Sequence, residues 1–394
     1  MRLSPARRAA IGFALAAASA LAVQGLALPV AHARDAAPAS TKAAADKATA
    51  ATASQIADSE SATARALAAS LSDPAWRARV RIAALGSDQV DLAALTGSGR
   101  TPAALKAAVR SADRAIAAAK GLPASTGSLL RLRLGSDAMR TALRPATLPL
   151  VAVADHGDAA TTATAYDSSG RTHRLSTRHA PQQPVYVVDI DVTKALSTGL
   201  AQVDAQLAAK GLKPAARTDA AGTSPNAAPA DGGYWATKLN SVWLNDDEEP
   251  WIEGDAEIFS IVSGFGLDGV VRVDTVDMPY LDDDHHTYYP NQLIVNWSLY
   301  KYDEADLVMM EDDGSTNYEA LAQALADALL TITDQGAYVP LVDAILAAMP
   351  DSWWTNDPDY VDSWYTLTEN SSGTLYGARG NGWMNLSPYW VAAL

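Results

Sequence analysis

Thirteen consecutive residues hold the densest chemistry in this chain. Asn245, Asp246, Asp247, Glu248, Glu249 and Glu253 lie between two stretches that read as strands, KLNSVWL and DAEIFSIV, and Asp255 and Glu257 begin the second. Carboxylates crowded this closely repel one another unless they face water or share a cation. Calcium suits such a place, because it accepts about six to eight oxygen ligands in flexible geometry from carboxylates, amide oxygens and loop carbonyls. Asp255 and Glu257 project from one face of the second strand at period two, with Phe259 and Ile261 further along the same face. The strand is therefore expected to carry an acidic end at a rim and an apolar body in a core. A second patch comprises Asp303, Glu304 and Asp306, and a third Glu311, Asp312 and Asp313. A β-sandwich that brought the 245–257 and 303–306 loops to one end would form a structural calcium site from Asp246, Asp247, Asp255 and Glu257 with Asp303, Glu304 and Asp306. The same acids also make a hydrated surface without an ion, and both readings stand at this level. The run from Asp303 to Gly314 does not fit an EF-hand loop, whose glycine falls elsewhere.

Other chemistry is sparser. Asp282-Asp283-Asp284-His285-His286 could hold a transition metal only in a loop, since adjacent residues on a strand point to opposite faces. His156, His173 and His179 suggest no shared site. There is no HExxH helix, GxSxG elbow or glycine-rich nucleotide loop, and the Gly377–Gly382 cluster reads as a turn. A carboxylate pair for hydrolysis is set by fold, so the 19 acids of residues 241–313 nominate none in particular. Nine of the ten tryptophans lie at or after Trp235. They serve either as the core of a β domain or, in part, as a sugar-binding platform.

The elements that must position these groups follow from the rest of the chain. It begins with Arg2, Arg7 and Arg8, an apolar run from Ala9 to about Val30, and Ala31-His32-Ala33. That order reads as a signal peptide over residues 1–33 rather than a transmembrane anchor, so a secreted, extracellular protein without a stable membrane span after processing is expected. The absence of cysteine excludes disulfides, thiol nucleophiles and thiolate metal sites. Residues 241–313 carry 2 Lys or Arg against 19 Asp or Glu, within a chain of net charge −15. A surface of that overall sign repels nucleic acid and anionic lipid, which leaves an extracellular glycan or protein as the expected partner.

Residues 34–56 read as a disordered or weakly helical tether of Ala, Thr, Ser and Lys, and 57–122 as a helical region broken at Pro74. Residues 145–214 read as a small α/β unit, with strands at 148–155, 161–167, 171–178 and 184–192 and a helix at 193–210. A linker is expected over 215–233 and an acidic β-sandwich-like domain over 234–394, with helices inserted at 318–331 and 339–348. The fold class is α+β: a helical N-terminal region, a small mixed α/β unit, then a β-sandwich-like domain with inserted helices.

The blocks WLNDDEEPWIEGDAEIFSIV (243–262), NQLIVNWSLYKYDEADLVMMEDD (291–313) and GNGWMNLSPYW (380–390), with the weaker VAVADHGDAATTATAYDSSG (151–170), resemble an uncharacterised family of secreted bacterial proteins known only as a domain of unknown function. The resemblance implies secretion and a shared architecture and assigns no activity, catalytic residue or enzyme class. Separately, the first block is similar to calcium-binding sandwich domains in which an acidic loop precedes an Asp-x-Glu-aromatic strand. That similarity touches Asp246, Asp247, Asp255 and Glu257.

Overall fold

The computed structural model describes residues 39–154, 161–212, 233–245, 251–252, 256–312, 314–348 and 360–392. Residues 1–33, which read as a signal peptide, lie outside these, as do Asp246, Asp247 and Asp255 of the acidic loop. Helix α1 (Ala39–Ser70) opens the described chain, so most of the stretch read as a disordered or weakly helical tether is helical. Its alanines favour helix, and Thr52 and Ile56 are buried against the body of the protein. Helix α2 (Pro74–Gly86) starts where Asp73 accepts from the N–H groups of Ala75 and Trp76 with Pro74 in the first turn, a pairing of acidic cap and proline that suits an N-terminus. Strand β1 (Gln89–Asp91), α3 (Leu92–Gly97) and α4 (Ala103–Ala119) complete this part.

Strands β2 (Leu130–Leu134), β3 (Leu150–Val153), β4 (Thr162–Tyr166), β5 (Thr172–Ser176) and β6 (Val185–Ile190) join β1 in a six-stranded sheet of order β1-β2-β6-β3-β4-β5. Only β3 and β6 pair in parallel. Strand β6 is buried along its whole length, as a central strand covered on both faces should be. Val151, Val153, Tyr186 and Val188 join the main core, while Leu150, Ala152, Val185 and Val187 meet Met139 and Ile252 on the other face. Helix α5 (Val192–Ala209), capped by Asp191, follows directly.

Beyond residue 232 come β7 (Tyr234–Leu244), β8 (Ile258–Phe265), β9 (Val271–Asp277), β10 (Thr287–Tyr288), β11 (Gln292–Asn296) and β12 (Glu304–Glu311). Helices α6 (Tyr318–Leu329) and α7 (Val342–Ala348) precede β13 (Tyr360–Thr368), β14 (Gly373–Tyr376) and β15 (Gly382–Val391). Strands β10, β11, β7, β15 and β14 form one sheet, and β13, β12, β8 and β9 a second. The two pack face to face through Leu239, Val242, Met384 and Leu386 on one side and Val262, Leu307, Met309 and Trp364 on the other. The opposite face of the second sheet buries Phe259, Ile261, Val308 and Met310 in the core it shares with α5 and α6. The architecture is thus α+β with the helical part first and a two-sheet sandwich after it, as the sequence implies.

Residues 36–394 form one compact unit, and chain on either side of residues 213–232 shares one core. The joint is chemical as well as apolar. Lys120, at the end of α4, is fully buried and donates to the Gly314 carbonyl at 2.6 Å. Its ammonium lies 3.5 Å from the equally buried carboxylate of Asp312 and 5.2 Å from the centre of the Tyr318 ring. Asp312 also accepts from the Tyr318 hydroxyl and the Gly314 N–H. Tyr318 in turn lies against α5 where a Cβ on Gly199 would come within 2.3 Å of its ring, so only glycine fits there. Asn317 caps α6 through Ala320 N–H and donates back to the Ala119 carbonyl. A second tie runs from Arg133, bound to Asp189 at 3.0 Å, to the carbonyls of Trp251 and Ile252.

Two stability measurements test this account. Lys120→Met leaves Asp312 buried without its cation and should lower unfolding free energy by about 3–5 kcal/mol in denaturant titration. Asp334 accepts from Lys301 Nζ, from the Tyr302 hydroxyl at 2.6 Å and from Gly336 N–H, and the bond from Lys301, then that from Tyr302, hold its pKa down at about 2. Its contribution is present above about pH 4 and lost as pH falls through about 2. The stability difference between the protein and Asp334→Asn should therefore shrink across that window in unfolding curves taken from pH 5 downward.

Candidate functional site

Strands β7 and β15 pair antiparallel over ten positions, from Leu244 opposite Gly382 to Tyr234 opposite Val391. Alternation sends Leu239, Val242, Leu244, Met384 and Leu386 inward to the sandwich core. The intervening residues must face outward. Trp383 stands opposite Trp243, Tyr376 of β14 opposite Trp383, and Thr287 of β10 opposite Trp243 on its other side. The His285 ring meets Trp243 edge-on at 5.8 Å. An aromatic row thus crosses the sheet at one end, with Tyr376 76% exposed.

Next along the same face is a belt of hydrogen-bonding side chains. A bulge between Asn385 and Leu386 gives β7 an extra residue, Asn240, as bulges do when they re-aim a side chain. The Asn240 amide donates to Asn385 Oδ1 at 3.2 Å and to Ser387 Oγ at 3.1 Å, and Asn385 donates to Thr374 Oγ1 at 3.2 Å. Lys238 faces Ser387, and its ammonium lies 5.4 Å from the Tyr389 ring centre. Beyond Tyr389 the opposite phase, that of Leu239 and Leu386, carries Trp235 and Trp390, which meet edge to face at 5.3 Å, each more than 40% exposed. The face pairs apolar plates with neutral amides and hydroxyls, plus one cation. A purely apolar interface would lack the belt, and an ordinary solvent-facing strand would lack the plates.

The acidic residues take other places. Glu257 is buried and accepts from Thr193 Oγ1 at 3.0 Å. Its carbonyl accepts from Asp312 N–H, which sets it at the far end of β12 from Glu304, roughly 26 Å away along the strand. Asp303 sits at a turn with φ +51°, and Glu304 pairs with Thr368. Asp306 is fully buried, accepts from Leu341 and Thr366 N–H, and has its pKa raised by burial against the lowering effect of those bonds. Glu257 and the 303–306 group are therefore not brought to one rim. Among the described residues no group of three or more Asp, Glu or His is arranged to hold a metal ion. His285 turns to Trp243 and His286 to Tyr288, with ring centres 4.4 Å apart, so the two histidines do not converge. A cleft of about 300 Å³ between Leu212, Leu267, Val271 and Leu299 is lined by one carboxylate, Asp268, and by Arg272.

Another acid explains the glycine cluster. The carboxylate of Asp362 accepts from Ser363, Arg379, Asn381 and Gly382 N–H groups at 2.7–3.0 Å. A Cβ on Gly377 would lie 2.1 Å from that carboxylate. The loop is wrapped around an internal anion and so fixes the start of β15. Sequence reasoning raised a sugar platform without assigning its residues. The signal was there: Trp383, Asn385, Ser387 and Tyr389 fall on the phase opposite to Met384 and Leu386.

In comparison with known proteins, the family model described as a protein of unknown function, DUF3103, matches residues 63–393. No curated protein and no solved structure matches the chain.

Proposed function

We propose that this chain, which belongs to the DUF3103 family of proteins of unknown function, is an exported protein that binds an extended polysaccharide on the open face of its β7–β15 sheet. One observation carries the reading: aromatic plates and amide or hydroxyl groups succeed one another across three strands, from Tyr376–Trp383–Trp243 through Thr374–Asn385 and the bulged Asn240 to Ser387–Lys238 and Tyr389. Sugars present exactly the complementary pair of surfaces: C–H faces that stack on rings, and hydroxyl edges that exchange hydrogen bonds with amides. A long flat face suits a polymer better than a small molecule, which calls for a concavity. Export is supported by the N-terminal order of Arg2, Arg7 and Arg8, an apolar run and Ala31-His32-Ala33. The helical part and the six-stranded sheet then act as the body on which the binding face is mounted.

Two measurements follow. Affinity electrophoresis in soluble glucans, xylan and glycol chitin, with pull-down on insoluble wall polysaccharide, should show retention by at least one polymer. Trp243→Ala and Trp383→Ala should each weaken it at least tenfold, about 1.4 kcal/mol, whereas Ile82→Ala on α2 should not. No retention by any polymer, or equal loss with Ile82→Ala, would sink the binding reading. Mass spectrometry of protein recovered from the medium of an expressing bacterium should find a chain starting at Arg34. Full-length chain confined to the cytoplasm would end the export reading.

A further inference from the structure

The five-stranded sheet that carries the aromatic face holds no negatively charged residue. Strands β7, β10, β11, β14 and β15 read YWATKLNSVWL, TY, QLIVN, GTLY and GWMNLSPYWV, with no Asp or Glu and one charged residue, Lys238. Three of the four strands of the other sheet in the sandwich carry acids, and the whole chain has 45 Asp or Glu against 30 Lys or Arg. The open face is therefore the exception in an acidic protein.

Lys238 is an exception of its own. The other cations beyond residue 232 are engaged: Arg272 with Asp274 at 3.0 Å, Lys301 with Asp334, and Arg379 with the Tyr360 carbonyl. Among the described residues Lys238 has no carboxylate partner and no hydrogen bond. It stands between Ser387 on β15 and Leu293 on β11, two residues from the bulged Asn240. Its ammonium lies 5.4 Å from the centre of the Tyr389 ring, which is 44% exposed. A lysine stem commonly lies over an apolar surface while its head stays in water, and the contact with Tyr389 accounts for that much. It does not account for a face emptied of acids. Neutral sugar hydroxyls do not account for it either, because carboxylates are the strongest acceptors a protein offers them. An anionic ligand does: any acid on the face would repel it, and an unpaired ammonium attracts it.

The nearest acidic loop does not oppose this. Asp282, Asp283 and Asp284 adjoin the opposite end of the face, where Thr287 of β10 pairs with Trp243. Trp243 is five residues from Lys238, roughly 16 Å along β7, and the Debye length at physiological salt is about 8 Å.

We infer, resting on the polysaccharide reading of this face, that its polymer is acidic: a uronate-bearing chain whose carboxylate meets Lys238. Its pyranose ring then lies on Tyr389, with hydroxyls within reach of Ser387 and Asn240. A single ammonium brings one positive charge and three donors, which matches a carboxylate better than a phosphate monoester of charge between one and two. Lys238 is thus the residue that selects acidic over neutral sugar.

Titration calorimetry of the purified protein with polygalacturonate and with alginate, each beside its carboxyl-reduced form, tests the selection. At least one uronate polymer should bind at least tenfold more tightly than its reduced form, and the ratio should fall as salt rises above about 0.15 M. Lys238→Met should bring the ratio close to one, Lys238→Arg should keep it, and Trp383→Ala should weaken both forms while leaving it in place. The thermal midpoint of Lys238→Met should match that of the parent, since Lys238 has no protein partner to lose. Equal binding of the two forms, or a ratio indifferent to Lys238→Met, overturns the inference and leaves the polysaccharide reading standing. Binding of dextran sulfate without either uronate overturns it in favour of a sulfated chain. Retention of no polymer, charged or neutral, overturns both readings.

Discussion

A single buried ion pair sits where the parts of this protein meet. Lys120 ends α4, Asp312 follows β12, and Tyr318 starts α6, so the pair joins the helical region to the second sheet and to the helix that covers it. A lysine and an aspartate without solvent access are costly to desolvate. The cost is met here by saturation: the ammonium has a carboxylate, a carbonyl and an aromatic face, and the carboxylate has an ammonium, a hydroxyl and an N–H group. Such a cluster is satisfied only when all three elements are in place, which makes the two halves of the chain mutually dependent. The close approach of Tyr318 to Gly199 extends that dependence to α5.

The same device recurs at smaller scale. Asp113 accepts from the N–H groups of Leu129 and Leu130 and sets the start of β2. Asp306 holds the chain before α7 and the backbone of β13 at Thr366, a residue at φ +52°. Asp362 gathers three N–H groups of the turn that leads into β15, with that of Ser363 on its own strand. Each carboxylate gathers backbone donors that would otherwise be orphaned. A chain without cysteine thus fixes its loops with internal anions, which accounts for part of its acidic composition without invoking any bound cation.

These anchors also decide which sheet face is left open. The second sheet is covered on both faces, and the strands β3 and β6 of the first are buried throughout. The sheet of β7 and β15 has one covered and one open face, and the Asp362 turn determines the register in which Trp383 meets Trp243. The alignment of rings with amides across three strands therefore depends on a carboxylate from the neighbouring sheet. Ring geometry on the outside and packing on the inside are two readouts of one register.

Local pattern alone determined a great deal here. Periodicity placed the helices at α5 and α6 and the strands at β4 to β8 close to where they lie, because each carries its own apolar phase and most are bounded by proline, glycine or an Asp or Asn cap. Composition alone left residues 39–56 between disorder and weak helix, and their alanines become helix once Thr52 and Ile56 have a surface to meet. It also passed over β2, whose alternation LRLRL has meaning only beside β6, where Asp189 and Asp191 receive the two arginines. The acidic clusters were visible as clusters, but the sequence could not distinguish an Asp that faces solvent from one wrapped in backbone donors. That distinction rests on long-range pairing: the antiparallel register of β8 and β12 separates Glu257 from Asp303, Glu304 and Asp306, and the pairing of β7 with β15 unites Trp243 with Trp383 from positions far apart in the chain. Side-chain type fixes which interactions are available, and only tertiary register fixes which of them coincide in space.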